Sequence, residues 1–168
     1  MSGRDGEFAE YVDTRLPVMR RTAYLLCGDW HRAEDLVQTA LSKLYVVWPR
    51  LRASAGIDAY ARTVLVRTSI DESRKAFRRR ESTTSEPPEL SVPPSGVEDA
   101  VDVRRALGQL PAGQRAVVVL RYWEDLSITE TARVLGRTEG TVKSQAAKGL
   151  AALRELLAAG RTVLEGQS

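Results

Sequence analysis

The 168-residue chain is predicted to be all-α: two small helical modules joined by a flexible, Pro/Ser-rich linker. Three observations predict it. Apolar residues recur at three- and four-residue steps along most of the chain, no run alternates at period two, and no Asn-Gly or Asp-Gly pair sits between alternating runs to mark a hairpin. Residues 82–97, STTSEPPELSVPPSGV, hold four prolines, four serines and two threonines and follow no period. Charge is partitioned the same way: the overall +3 resolves into +5 over residues 1–80, −4 over 81–105 and +2 over 106–168. The expected division is a first module at 1–80, a linker at 81–97 and a second module at 98–168. Fully extended, the linker reaches about 50 Å, so the modules could sit more than one turn of DNA apart, a turn being roughly 34–36 Å.

The elements follow in order. Residues 7–26 repeat apolar positions at Phe8, Tyr11, Val12, Leu16, Met19, Ala23 and Leu26, with Pro17 expected to kink the helix or begin a new one. Gly28-Asp29 breaks the pattern. It resumes over 31–48 with Ala33, Leu36, Val37, Ala40, Leu41, Leu44, Val47 and Trp48; Asp29 is placed to cap this helix, Glu34 and Asp35 suit its first turn, and Pro49 is expected to stop it. After a loop at 50–57, a third helix runs over 58–79 and ends in the basic RKAFRRR. Beyond the linker, helices are predicted near 98–109, 112–123, 127–135 and 138–158. Modules this small bury little core and are marginal alone.

Composition closes off several functions. Apolar residues at 43% and charged residues at 28% are ordinary for a globular chain. No apolar run reaches the length of a bilayer span, so no membrane insertion is expected. The N-terminal MSGRDGEFAEYVDTR has no apolar signal region. A lone cysteine, Cys27, cannot form an internal disulfide and suits a reducing cytoplasm, the expected location. With Cys27 and His31 alone, neither a zinc site nor a nucleophile–histidine pair has material to work with. Cys27 reads as a small core residue, His31 as a capping or surface residue, and Trp30, Trp48 and Trp123 as core anchors. Asp71 and Glu72 point about 100° apart on a helix, which disfavours a two-metal nuclease. No phosphate-binding G-x-x-x-x-G-K loop is present. The expectation is a non-enzyme with no metal and no cofactor.

The richest local signal lies at 126–150, LSITETARVLGRTEGTVKSQAAKGL. Ser127 and Glu130 form a capping box. Ala132 lets two helices approach, Gly136 supplies a positive-φ turn, and Thr138 caps a second helix. Val142, Ala146, Leu150, Leu153 and Leu157 make one buried stripe on that helix. This is a helix-turn-helix, whose second helix is offered to the major groove. The face opposite the stripe carries Gly140, Thr141, Ser144, Ala147, Lys148 and Ala151, flanked by Lys143 and Gln145. Thr141, Ser144 and Gln145 can read base edges, while Arg137, Lys143 and Lys148 reach phosphates. About four phosphate contacts give a salt slope of only about −3.6 and weak non-specific affinity, roughly 10⁻⁴ to 10⁻⁶ M. A single helix-turn-helix therefore needs a twofold partner or a larger host, and no zipper heptad is evident. In the first module, Arg62, Arg67, Arg74, Arg78 and Arg79 form a stripe able to track a DNA backbone. Tyr60 and the 50–57 loop could hold an unstacked base, worth about 1–3 kcal/mol in stacking.

These residues resemble a known family. ALGQLPAGQRAVVVLRYWEDLS followed by ITETARVLGRTEGTVKSQAAKGLAALREL is similar to region 4 of the sigma-70 family. RAEDLVQTALSKLYVVW (32–48) resembles the polymerase-binding helix of region 2, and AYARTVLVRTSIDESRKAFRRR (59–80) its helix for reading and melting the −10 element. Two modules on a bare linker make the chain similar to an extracytoplasmic-function (group 4) sigma factor. The resemblance implies that Asp35, Gln38, Thr39 and Ser42 engage the β′ clamp helices of core RNA polymerase, with Thr39 standing where the family often has an acid. It implies that Arg137, Thr138, Thr141, Lys143, Ser144, Gln145 and Lys148 read the −35 element, with Gln145 at a frequently basic position and Ala147 at a bulkier one. It implies that Tyr60, Arg62, Arg67, Thr68, Asp71, Arg74, Arg78 and Arg79 serve the −10 element. Asp71 and Arg74 match the family's D-x-x-R pattern, while Tyr60 and Thr68 replace its frequent Trp and Asn. The implied partners are core polymerase through β′ clamp and β flap, promoter DNA, and an anti-sigma factor of the kind that commonly restrains group 4 members. The competing reading is a self-sufficient helix-turn-helix repressor or activator, with residues 1–80 sensing or dimerising. The acidic linker suggests a further role, occupying the RNA-exit path or masking the basic modules in the free state, through Glu86, Glu89 and Glu98.

Overall fold

The computed structural model describes residues 3–52, 56–82 and 98–165. The described residues form seven α-helices and a short π-helical turn, with no strand among them: α1 (Gly3–Cys27), α2 (Trp30–Leu51), α3 (Ile57–Ser82), α4 (Glu98–Gln109), α5 (Ala112–Val118), the π-turn (Val119–Trp123), α6 (Ile128–Leu135) and α7 (Glu139–Glu165). Residues 83–97, most of the expected linker, and 53–55 of the expected loop lie outside the described residues, and so do Glu86 and Glu89 of the masking idea.

Helices α1, α2 and α3 make a bundle around Ala23, Leu36, Val37, Leu44, Trp48 and Leu65. Two proline expectations are corrected. α1 runs unbroken through Pro17, and α2 continues past Pro49 to Leu51, with the Arg52 N–H closing on the Trp48 carbonyl at 2.8 Å. A proline inside a helix gives up its own N–H bond and crowds the carbonyl four residues back; at Pro49 only Arg50 and Leu51 of α2 lie beyond it. The turn is held by Trp48, which packs edge-on against Phe8 at 5.2 Å between ring centroids. Between α1 and α2, Gly28 takes φ +76°, and Asp29 caps α2 by accepting from the backbone N–H groups of His31 and Arg32. Glu34 and Asp35 fall beyond the first turn of α2, because the helix starts at Trp30.

In the second module the expected helix at 112–123 divides into α5 and the π-turn. The Glu124 N–H bonds to the Val119 carbonyl at 3.0 Å, an i to i+5 closure. Asp125 then adopts φ +56°, a left-handed conformation that Asp tolerates, and leads into the helix-turn-helix of α6 and α7. The two modules are packed together. Leu26 of α1 and Val66 of α3 share one apolar cluster with Ala116, Val119, Leu120, Leu126 and Val134 of the second module.

Candidate functional site

The helix-turn-helix is built by local rules. The Ser127 hydroxyl accepts from the Glu130 N–H at 3.0 Å, and the Glu130 carboxylate accepts from the Ser127 N–H at 3.1 Å, closing the capping box. Gly136 ends α6 at φ +62°, a conformation that a side chain would strain. The Thr138 hydroxyl accepts from the Thr141 N–H at 3.1 Å and so caps α7. Val142 is fully buried and plugs the space between α6 and α7 with Ala132, Ala146 and Val117. Leu153 is buried lower on the same stripe, and Leu150 and Leu157 are partly buried. α7 also crosses close to α5: a Cβ at Gly149 would lie 2.7 Å from a Val118 methyl.

With that stripe inward, Thr138, Thr141, Lys143, Ser144 and Lys148 are exposed, Arg137 just before the helix is exposed, and Gln145 is half-buried. The face is thus short and polar with basic groups at its margins, a shape that can enter a major groove.

On α2, Asp35, Gln38 and Ser42 are exposed and Thr39 is half-buried. They fall at helical spacing on one face, which continues to Val46 with 76% of its surface exposed. Val46 had no sequence signal beyond its apolar type. The Ser42 hydroxyl is turned back onto the Gln38 carbonyl at 2.9 Å.

The third predicted set, on α3, is divided. Asp71, Arg74, Arg78 and Arg79 are exposed toward the helix end. Phe77 lies among them 62% exposed, an aromatic ring between cations and a suitable platform for a base. Toward the start of α3 the residues are occupied. Tyr60 is half-buried against the first bundle's core. Thr68 is buried, its hydroxyl 3.4 Å from the Lys43 ammonium. Arg62 pairs with Glu124 at 3.3 Å, and the Arg67 guanidinium donates to the Val134 carbonyl at 2.9 Å. Between α3 and the helix-turn-helix runs a cleft of about 520 Å³, lined by Arg67, Asp71, Arg74, Arg137, Thr141 and Gln145. The two predicted DNA-reading sets therefore face one another.

Other expectations sort by burial. Trp48 is a core anchor, but Trp30 and Trp123 are 43% and 54% exposed, correcting that reading. Trp30 stacks on Tyr24 at 4.1 Å, and Trp123 closes the π-turn at the surface. Both line an apolar cleft of about 510 Å³ with Tyr122, Val103, Leu107 and Leu153. His31 is exposed. Cys27 packs partly buried against the first core, and burial pushes its thiol pKa up. No group of three or more His, Cys, Asp or Glu able to hold a metal ion occurs among the described residues, and no described helix is long and apolar enough to cross a membrane.

Comparison with known proteins matches both modules separately. Residues 11–80 match the family model described as Sigma-70 region 2, and residues 100–153 that of Sigma-70, region 4. The RNA polymerase sigma-E factor of Streptomyces coelicolor is 40% identical over 160 residues, covering 91% of this chain and 87% of that one. The ECF RNA polymerase sigma factor SigM of Mycobacterium tuberculosis is 32% identical over 139 residues, covering 83% and 71%. Among solved structures, the sigma factor RpoE of Bartonella quintana, in complex with the anti-sigma factor NepR, matches with a TM-score of 0.76 and 28% identity, covering 90% of this chain and 96% of that one.

Proposed function

The chain belongs to the sigma-70 family of RNA polymerase sigma factors, and from that membership we propose how its helices divide the work of starting transcription. It is an alternative sigma factor of the extracytoplasmic-function type that binds core polymerase and directs promoter-specific initiation. The α2 face of Asp35, Gln38, Thr39, Ser42 and Val46 grips the β′ clamp helices, and the second module meets the β flap. Arg137, Thr138, Thr141, Lys143, Ser144, Gln145 and Lys148 read the −35 element. The basic end of α3, with Asp71, Arg74, Arg78, Arg79 and Phe77, follows the −10 strand. Tyr60, Arg62, Arg67 and Thr68 belong to the same −10 surface once they are free. Strand opening needs no nucleotide fuel in this reading: captured, unstacked bases stabilise the open form. The work is binding and not catalysis, in the cytoplasm. An anti-sigma factor is a further partner, and the aromatic cleft at Trp30, Tyr122 and Trp123 offers it an apolar seat.

One observation carries the division of labour: packing consumes the apolar sides of α2, in the first bundle, and of α7, in the second module, and leaves a polar stripe on each uncovered. The test is transcription by purified core polymerase plus the chain on a promoter library. Asp35→Ala abolishes core association and transcription while leaving the chain folded. Unaltered transcription by Asp35→Ala, together with tight promoter binding by the chain alone, would establish the self-sufficient repressor or activator instead.

A further inference from the structure

A basic cleft opens where the first module meets the turn between α4 and α5. Its walls are the end of α1 at Cys27, the first turn of α2 at Arg32, the later turns of α3 over 73–78, the 108–112 turn, and Arg115 on α5. It encloses about 740 Å³, a volume typical of small-molecule sites. Four guanidinium groups line it, those of Arg32, Arg74, Arg78 and Arg115, and among the described residues that line it none is an acid. Arg115 is fixed in the back wall: it donates to the Leu26 carbonyl at 2.7 Å and to the carbonyls of Leu107, Gly108 and Leu110 at 2.8, 3.0 and 2.8 Å. These neutral acceptors hold the group in place and leave its net charge. Burial, with the Arg32 cation adding to it, lowers the Arg115 pKa from the usual guanidinium value. Arg32, Arg74 and Arg78 are exposed at the rim. Phe77 lines the cleft among them with 62% of its surface exposed.

We propose that this cleft is a binding site for a nucleoside polyphosphate: phosphate oxygens join Arg32 to Arg74 and Arg78 in front of Arg115, and the base lies on the Phe77 ring. Several cations with no acid among them repel one another, and an anion of several charges reverses that cost. Guanidinium groups match phosphate oxygens in pairs. An exposed ring beside them suits a planar base, and stacking accepts any base. A DNA strand shares this chemistry, but the −10 surface proposed above lies on α3 alone, whereas Arg32 and Arg115 stand on α2 and α5. A cleft of about 740 Å³ also takes one nucleotide rather than a strand. The site needs only the packing that the structure shows, and it stands apart from the promoter-reading assignment.

The full chain alone tests it, without polymerase or DNA. The chain has one cysteine, and it lies in the cleft wall, so the rate at which N-ethylmaleimide alkylates Cys27 reports occupancy. ATP without magnesium, at constant ionic strength, should slow that reaction severalfold, because bound phosphates block access and their charge disfavours the thiolate. Protection is read against each variant's own rate without ligand. Arg32→Gln should weaken the apparent ATP affinity about tenfold, the loss of a hydrogen bond between charged groups. Arg79→Gln removes the same charge beside the cleft but outside its lining, and at physiological salt should change the affinity about twofold or less. Phe77→Ala should weaken ATP about tenfold and leave inorganic pyrophosphate unchanged, since pyrophosphate has no base to stack. All three side chains are exposed, so the variants should fold. Absence of protection by ATP, equal weakening in Arg32→Gln and Arg79→Gln, or an ATP affinity indifferent to Phe77→Ala overturns the nucleotide site. Should Cys27 prove inert to the reagent even without ligand, calorimetric titration of ATP decides by the same ranking of variants. Failure of the chain to bind core polymerase would count against the sigma assignment and leave these readouts untouched.

Discussion

The N-terminal module closes one core of its own, whereas the C-terminal module divides its apolar residues among three clusters, two of which take in residues of its neighbour. The first bundle closes around Leu36, Leu44 and Leu65, all nearly inaccessible, with aromatic rings at its end. In the second module, one small cluster sits under α4 and the lower part of α7, another sits inside the helix-turn-helix, and the third needs Leu26 and Val66 to be complete. The difference teaches which part can move without harm. A reading head with a strong local frame, namely a capping box, a glycine turn and a plugged interior, can be released from its neighbour and still keep its shape. The shared cluster then serves as a docking surface between modules, of the kind that relative motion makes and breaks.

The sharpest way to break this comparison is to empty one leucine site in each cluster. Leu44→Ala, private to the first bundle, and Leu120→Ala, in the shared cluster, should each cost about 2–5 kcal/mol by denaturant titration. They should differ in form. Leu44→Ala lowers the stability of a chain that still melts as one unit. Leu120→Ala uncouples the modules, and its calorimetric trace separates into two transitions. Two identical single transitions would show that the shared cluster is not a boundary.

A smaller effect sharpens the picture of the second module alone. Gly149 lies where α7 crosses α5, and Val118 beside it is buried. Gly149→Ala gains helix propensity, yet must push the crossing apart, at a cost of about 1–3 kcal/mol. The loss should appear in the second module's transition once the modules are uncoupled. A stabilised variant would mean that the crossing is looser than its geometry implies.

The legibility of these features in the sequence follows their range. The helix-turn-helix was readable because each device acts within a turn or two: Ser127 with Glu130, Gly136 at the bend, Thr138 with Thr141, Val142 inward. The all-α class and most helix bounds were readable from the apolar period for the same reason. Pro49 misled because the expectation weighed a proline's local cost without the packing of Phe8 and Tyr11 on the neighbouring Trp48; Pro17 sits exposed in an unbroken α1. Trp30 and Trp123 misled because size suggests burial while their places, at a helix start and at the edge of a π-turn, leave them outside. The contact between modules left no local trace: Thr22 and Glu124 stand 102 residues apart, and no periodicity relates them. The occupation of Arg62, Arg67 and Thr68 was illegible for that reason, although their basic or polar character was plain. The exposed stripe on α2 was legible as the complement of its apolar face, but its apolar end at Val46 was not.

The smallest expected effect is a dependence on alkaline pH, and it falls on one side of the comparison. Burial raises the Cys27 thiol pKa, and at Tyr11 burial, followed by the hydrogen bond to the Asp58 carboxylate at 2.8 Å, raises the phenol. A group whose folded pKa lies above its unfolded value contributes stability that is complete below the unfolded value and is lost as pH climbs toward the folded one. The unfolded values are about 8.5 for Cys and 10 for Tyr. Stability should therefore be insensitive to these groups at neutral pH, begin to fall above about 8.5 through Cys27, and fall faster above about 10 when Tyr11 joins. Both residues belong to α1, so the loss should register in the first module's transition. Urea midpoints from neutral to strongly alkaline pH, read in the uncoupled Leu120→Ala chain, test this. Cys27→Ala should remove the first part of the decline and Tyr11→Phe the second. A decline that survives both substitutions, or that appears first in the helix-turn-helix, would place the alkaline weakness elsewhere.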